Sequence, residues 1–435
     1  MVKIVKFGGS SLADSLQFQK VKKIIEGDYL RKVIVASAIG KRNNKEAKVT
    51  DLLYLLHAHL TYSVPYEAVL TMLEERFKQI QTDLGLNFNI TSELQMLRKE
   101  LSKQISLDYL VSRGEYYTAK MLAEYLGYPF VDAKDLVFFR YDGQIDYEKS
   151  DKAIKDVFSK YDKFVVPGFY GSYPNQSIKI MARGGSDITG SIMARALNAL
   201  VYENWTDVSG LLMADPRIVS NSQRINQVTY EELRELAYMG ANVLHEETIF
   251  PIQDLNIPIV ILNTNDASNP GTVITKTSDD KSQIITGLTG KQYFASFTVT
   301  KQNNANKTRL IKEILELFES YHINVEHIPS SIDSFSIVVL KSDVEKVMYD
   351  LASTIKNRPD VKDLVIDQDL ALVAVVGRNM VTRPGMSGKI FAIIGNEGIN
   401  IKMIAQGSNE LNIIIGVKND DFVCAIQALY NNLVL

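Results

Sequence analysis

The sequence predicts an α/β fold: a mainly parallel sheet flanked by helices, followed by a smaller α+β region built from two related modules. Three observations carry this. First, residues 2–7 read as a strand ending in Lys6-Phe7-Gly8-Gly9-Ser10-Ser11; a helical pattern follows, and then 33–38 is a short continuous apolar run. Strand, glycine loop, helix and buried strand make a βαβ unit, which builds parallel sheets. Second, another strand-like stretch, 178–182, leads through Arg183-Gly184-Gly185-Ser186-Asp187 into a small-residue helix at 188–199. Third, the last third of the chain repeats itself at an offset of 76 residues: Ile323-Asn324-Val325 matches Ile399-Asn400-Ile401, and Phe335–Val339 matches Leu411–Ile415. Each copy reads as a split βαβ pattern.

The elements follow in order. Asp14 N-caps a helix with Phe18, Val21 and Ile25 on one face, and Gly27 stops it. The apolar run 33–38 lacks polar alternation, as expected of a strand covered on both faces. A long helical region spans roughly 50–126, with Thr50 as one N-cap and a helix over 115–126 opened by Ser112-Arg113-Gly114-Glu115. A strand at 164–169 ends in Pro167-Gly168-Phe169. A strand at 201–205, a helix at 229–240 and a strand at 258–262 complete the first domain. In the repeat, Phe335–Val339 and Leu411–Ile415 are candidates for exposed sheet edges.

Bulk composition narrows the function. A chain of 435 residues needs more than one core, and its 46% hydrophobic and 23% charged content is that of a globular protein. A net charge of −3 carries no basic excess for nucleic acid. One cysteine excludes an internal disulfide framework; with no secretory signal, the expected location is cytoplasmic. No run of 18 apolar residues is present, so no membrane span is predicted. Five histidines and that cysteine offer little for a soft-metal site, and no protein metal site is expected.

The chemistry concentrates in polar loops. Lys6 with Gly8, Gly9 and Ser10 offers a cation, a backbone free of Cβ atoms and short donors, which suits phosphate. It matches neither the Walker nor the dinucleotide glycine pattern. A plain strand-to-helix turn with a solvated lysine remains the alternative. Arg183 beside paired glycines can grip a carboxylate or phosphate in bidentate fashion; otherwise the loop is a turn with Asp187 as a helix cap. Trp205-Thr206-Asp207-Val208-Ser209-Gly210 and Asp215-Pro216-Arg217 read either as structural loops or as a nucleoside pocket with Arg217 on phosphate. Glu115 is either a surface carboxylate in a first helical turn or, if turned to the sheet's carboxyl edge, a site for an ammonium group.

Together, Lys-Phe-Gly-Gly-Ser-Ser (6–11), Ala-Ser-Ala (36–38), Val-Thr-Asp (49–51), Ser-Arg-Gly-Glu (112–115), Pro-Gly-Phe (167–169), Arg-Gly-Gly-Ser-Asp (183–187), Trp-Thr-Asp-Val (205–208) and Asp-Pro-Arg (215–217) resemble the aspartokinases of the amino-acid kinase superfamily. Asn-Thr at 263–264 and Asn-Pro-Gly-Thr at 269–272 resemble that family's exit from its kinase domain. The repeat resembles its tandem ACT domains. The resemblance implies a kinase domain over 1–280 and a regulatory region over 281–435. Its two ACT modules span about 291–368 and 369–435, the second completed by a strand near 283–289.

The resemblance also implies roles. Lys6, Asp187 and Arg183 are the catalytic residues. Lys6, Phe7, Gly8, Gly9, Ser10, Thr206, Asp207, Leu212 and Arg217 bind ATP, which is used with Mg2+. Ser37, Thr50, Glu115, Phe169, Arg183 and Ser186 bind L-aspartate, with Arg183 on the α-carboxylate and Glu115 on the α-ammonium. The implied reaction gives 4-phospho-L-aspartate. Glu326, Ser330 and Ser331 bind an effector amino acid, lysine first among candidates, and the ACT modules pair into a homodimer or a dimer of dimers. Two positions depart from the family pattern: Asn242 stands where a lysine commonly reaches the phosphates, and Leu212 where an aromatic is common. Lys41 or Arg42 is expected to compensate for Asn242. Rival readings are another kinase of the superfamily, acting on glutamate, acetylglutamate or uridylate, and a non-catalytic amino-acid sensor.

Overall fold

The computed structural model describes residues 1–182, 184–240, 244, 246–280, 283–381, 383–407 and 409–434. It divides into two compact units. The first comprises Met1–Leu211, Arg224–Tyr230 and Val243–Ser278; the second comprises Leu212–Gln223, Glu231–Asn242 and Asp279–Leu435.

In the first unit β1 (Lys3–Phe7), β2 (Arg31–Ala36), β3 (Phe164–Pro167), β6 (Val201–Thr206) and β8 (Ile259–Asn263) run parallel. β9 (Thr272–Thr275) is antiparallel to β8, and β7 (Gln227–Thr229) pairs parallel with β9. The strand order is β3-β2-β1-β6-β8-β9-β7. A separate hairpin joins β4 (Tyr170–Ser172) and β5 (Ile178–Ile180). The chain leaves β1 towards β2 and β3, then returns to β6 on the other side. The carboxyl ends of β1 and β6 therefore flank the point where the winding reverses, the place where open α/β sheets bind ligands.

The elements form for legible reasons. Asp14 accepts from the Gln17 amide at 2.9 Å and caps the helix Ser15–Glu26, which buries Phe18, Val21, Ile24 and Ile25. The region after residue 48 resolves into helices Val49–Tyr62, Glu67–Leu84, Ile90–Glu100 and Leu107–Leu126. Two expectations fail here. Thr50 is not an N-cap: Lys48 is, and Asp51 accepts from the Lys48 amide at 3.3 Å. Ser112–Glu115 do not open a helix, because Ser106 caps it and they fall in its buried interior. The lone tryptophan, Trp205, is 2% exposed, stacks on Phe7 and donates to Glu203 Oε2 at 2.9 Å. Glu203 also pairs with Arg31 and Lys3, so this buried carboxylate is compensated.

In the second unit β10 (Gly287–Lys301), β11 (Ser334–Leu340), β12 (Val361–Val376), β13 (Met403–Gln406) and β14 (Asn412–Val417) form one sheet in the order β11-β10-β12-β14-β13. The repeat explains the two long strands. The later part of β10 pairs with β11 and the earlier part of β12, while Gly287–Lys291 pairs with Val376–Leu372 beside β14. Each copy thus lends strand length to the other. The helices Lys307–Ser320 and Met348–Lys356 bury Leu310, Ile314, Phe318, Leu351 and Ile355 under the first copy. The edge expectation is half right: β11 ends the sheet, but β14 lies inside it and β13 is the edge. The segment matching β13 in the first copy makes only the bridges His327↔Val338 and Ser330↔Phe335 along β11. Pro329 interrupts it and removes a ladder donor.

Candidate active site

The register of β1 and β6 sets Lys6 beside Asn204. Both side chains point to the face covered by the helix Gly185–Ala196. Lys6 Nζ lies 2.6 Å from Asp187 Oδ1 and donates to Asn204 Oδ1 at 3.3 Å; Asn204 Nδ2 donates to the same Asp187 oxygen at 2.9 Å. Lys6 is only 8% exposed and Asn204 3%. A near-dry ammonium is thus held by two acceptors at the switch point, which fixes its position for an incoming anion. Asp187 does not cap its helix: Gly184, at φ +77°, is the N-cap, and the Asp187 carboxylate is engaged with Lys6. Arg183 lies outside the described residues.

The glycine loop folds tightly against the loop after β2. The Gly8 amide donates to the Trp205 carbonyl at 2.9 Å and the Gly40 amide to the Gly9 carbonyl at 2.8 Å. A Cβ on Gly9 would stand 2.8 Å from the Ala38 carbonyl oxygen, so a larger residue cannot pass there without a shift. The Ser11 and Leu12 amides close a 3-10 turn on the Gly8 and Gly9 carbonyls. The Gly9 and Ser10 amides ahead of them have no acceptor within that turn. Ser11 is tied to Trp205 and Thr264, while Ser10 stays partly exposed.

Glu115 is the other unusual group. Its helix approaches the loop after β2 because residue 114 has no side chain: a Cβ there would lie 3.0 Å from Ala38 Cβ and 3.2 Å from Leu53 Cδ1. The carboxyl is buried and accepts from the Ala38 amide, while its Oε2 has no hydrogen-bond partner among the described residues. Burial pushes its pKa up to about 8, against the opposing pull of the Ala38 amide and the Arg113 cation. A buried, half-satisfied carboxyl is poised to take a cation. Of the two readings of Glu115, its burial excludes the surface carboxylate.

Ser37 precedes Ala38 and Thr50 lies in the first turn of the helix Val49–Tyr62; both are partly exposed. Phe169 has φ +77°, a conformation a bulky residue rarely adopts, and its amide donates to Thr189 Oγ1 at 3.0 Å. Ser186 packs against Gly168. Thr206 ends β6 and Asp207 follows it, with the Thr206 hydroxyl donating to Asp207 at 3.2 Å.

Leu212 and Arg217 belong to the second unit. Leu212 is exposed, and Arg217 is exposed and paired with Asp215. Arg42 is held by Glu46, which also meets the buried Arg76 at 3.1 Å; Lys41 is exposed. Asn242 lies outside the described residues. Glu326 is half-buried and its amide donates to the Val338 carbonyl at 2.8 Å; Ser330 and Ser331 are exposed. Burial raises the Tyr238 pKa, helped by a hydrogen bond to the Glu326 carboxylate. An open cleft of about 750 Å³ runs between the helix Lys307–Ser320 and residues 322–325, and Glu326, Ser330 and Ser331 do not line it.

Asn204, which orients both Lys6 and Asp187, was not singled out in the sequence. Its signal was there: a polar residue in mid-strand whose neighbours on either side, Glu203 and Trp205, point to the opposite face. Such a residue, once buried, must find partners.

Comparison with known proteins identifies the family. The amino acid kinase family matches residues 1–263, and an ACT domain matches residues 373–433. Aspartokinase 3 of Bacillus subtilis is 30% identical, covering 99% of this chain and 98% of its own. The aspartate kinase of Clostridium acetobutylicum, described as an allosteric enzyme, superposes with a TM-score of 0.94 at 44% identity, covering 99% of this chain and all of its own. Aspartokinase III of E. coli, solved with aspartate and ADP, shares the fold at a TM-score of 0.80 and 23% identity, covering all of both chains. The chain belongs to the aspartokinases, members of the amino acid kinase family that carry ACT domains at their C-terminal end.

Proposed function

We propose that the chain transfers the γ-phosphoryl group of ATP to the side-chain carboxylate of L-aspartate. The products are ADP and 4-phospho-L-aspartate, the first step towards lysine, threonine and methionine. The observation that carries this reading is the Lys6–Asn204–Asp187 cluster at the switch point, in a chain whose near-full-length relatives are aspartokinases. A carboxylate is already a nucleophile, so the reaction needs no general base. It needs alignment and neutralisation of charge moving between oxygens.

Lys6 meets the transferring phosphoryl group, and Phe7, Gly8, Gly9 and Ser10 cradle the phosphates. Thr206 and Asp207 take the nucleoside side, with Leu212 and Arg217 added by the resemblance. Asp187 holds Lys6 in place. The hard oxygens of Asp187 and Asp207 suit Mg2+, which binds through one or two carboxylates and the nucleotide's own phosphates and would supply further neutralisation there. Glu115 takes the substrate ammonium: its unpartnered Oε2 and raised pKa are what an ammonium would satisfy. Arg183 takes the α-carboxylate, and Ser37, Thr50, Phe169 and Ser186 line the acceptor pocket.

Glu326, Ser330 and Ser331 receive a feedback effector, lysine in the first place. The kinase part extends over 1–280 and the two ACT modules over about 291–368 and 369–435. The subunits pair into a homodimer or a dimer of dimers. No described helix is long and apolar enough to cross a membrane, and the reading places the enzyme in the cytoplasm. ADP release measured with aspartate, glutamate and acetylglutamate tests the assignment: turnover confined to aspartate is expected, and no turnover with any acceptor would favour a sensor. Titrating the rate with lysine and threonine tests the regulation, and flat curves for both reject it.

A further inference from the structure

The loop from Leu212 to Gln223 carries Leu212 and Arg217, and its own hydrogen bonds are short-range turns: the Ile218 and Val219 amides donate to the Asp215 carbonyl at 2.9 Å and the Ser222 amide to the Val219 carbonyl at 3.1 Å. Its ends are pinned together: the Met213 amide donates to the Gln223 carbonyl at 2.8 Å, and the Ala214 amide donates to Ser222 Oγ at 2.8 Å. Beyond these turns the loop is tied to the last helix, Phe422–Leu433. The Gln223 amide donates to the Tyr430 hydroxyl at 2.7 Å, and that hydroxyl reaches the Asn221 carbonyl at 3.5 Å. Gln427 Nε2 donates to the Ile218 carbonyl at 2.8 Å, one residue beyond Arg217. Tyr430 is 1% exposed, so its hydroxyl has little water to fall back on, whereas Gln427 is exposed. β10 adds a further tie, its Leu288 amide donating to the Met213 carbonyl at 2.6 Å.

From these contacts we infer that Tyr430 and Gln427 are positioning residues for the nucleotide: they hold the Leu212–Gln223 loop, and with it Arg217, in one backbone path. The inference rests on the nucleotide reading of Arg217. Neither residue touches a reacting atom. Both act by raising the fraction of molecules with an ordered loop, and the apparent affinity for ATP scales with that fraction. The aspartate side of the reaction draws on none of these contacts. The Arg217 side chain already has an orienting partner, since its Nε donates to Asp215 at 3.0 Å, so what the helix supplies is the path of the backbone.

The test uses the full-length enzyme with Tyr430→Phe, Gln427→Ala and, as reference, Arg217→Ala. Tyr430→Phe keeps the ring and removes one hydroxyl; Gln427→Ala changes an exposed residue and leaves folding unburdened. Each is expected to raise the KM for ATP about 3- to 10-fold, the scale of one net hydrogen bond, with kcat and the KM for aspartate unchanged. Equal changes in both KM values, or a fall in kcat that follows a loss of thermal stability, would mean a purely structural role and overturn the inference. If Arg217→Ala raises the ATP KM while the two helix variants leave it alone, the positioning role falls and the nucleotide reading stands. If Arg217→Ala leaves the ATP KM unchanged, the nucleotide reading of the loop falls and takes the inference with it.

Discussion

Replacing Glu115 by Gln isolates the most perturbed carboxyl of the proposed acceptor site. In the folded protein its pKa is about 8, against an ordinary 4.5. The unfolded chain gives up this proton near pH 4.5 and the folded chain keeps it until about pH 8. The folded state therefore binds more protons between those values, and stability falls as pH rises across that window. Each pH unit is worth about 1.4 kcal/mol, so the full effect is on the order of 5 kcal/mol, complete above pH 8 and absent below pH 4.5. Glu115→Gln removes it. Urea unfolding between pH 5 and 9 is expected to show wild-type stability declining relative to the variant. Substrate reverses the preference. An ammonium against Oε2 favours the charged form, so at pH 7 binding of aspartate should release close to one proton. Its affinity should tighten about tenfold per pH unit up to pH 8 and then level off. Calorimetry in two buffers of different ionisation enthalpy reads the proton directly. An aspartate affinity independent of pH, or equal proton release by wild type and Glu115→Gln, would refute the reasoning.

Three further predictions concern the phosphate side. Lys6→Ala should lower kcat by about 10³-fold or more, since it removes the cation at the switch point. It should also leave far-UV circular dichroism unchanged and lower Tm, because Asp187 loses its cationic partner and keeps only the Asn204 amide; retained turnover would overturn the assignment. Gly9→Ala should cost about 1–3 kcal/mol in urea unfolding, because its Cβ meets the Ala38 carbonyl, whereas Gly388→Ala, in open space within a helix, should be neutral or stabilising. The double variant Lys41→Ala/Arg42→Ala should raise the ATP KM or lower kcat if these cations replace the family lysine absent at position 242; identical kinetics would reject that role.

What was legible in the sequence followed from local signals. Asp14 and Gly27 mark their helix because capping is a matter of a few adjacent residues. The run 33–38 reads as a doubly covered strand, and its strand, Arg31–Ala36, lies buried between β1 and β3. Where local signals competed, the reading slipped. The motif around Glu115 looked like a helix start because its glycine resembles punctuation, yet that glycine serves close packing in mid-helix. Thr50 looked like a cap because threonine often is one, but the backbone turned into the helix at Lys48.

The sequence by itself determined the βαβ order, the two glycine loops, the repeat and the family, since each rests on residue types at short or fixed spacing. Only the tertiary structure decided that Lys6 and Asn204, 198 residues apart, are ladder neighbours sharing Asp187, because strand register is a property of the assembled sheet. It also decided that Glu115 is desolvated and that the two repeats share β10 and β12 in a single sheet. Desolvation and strand sharing depend on what lies across space from a residue, and no window along the chain contains that information.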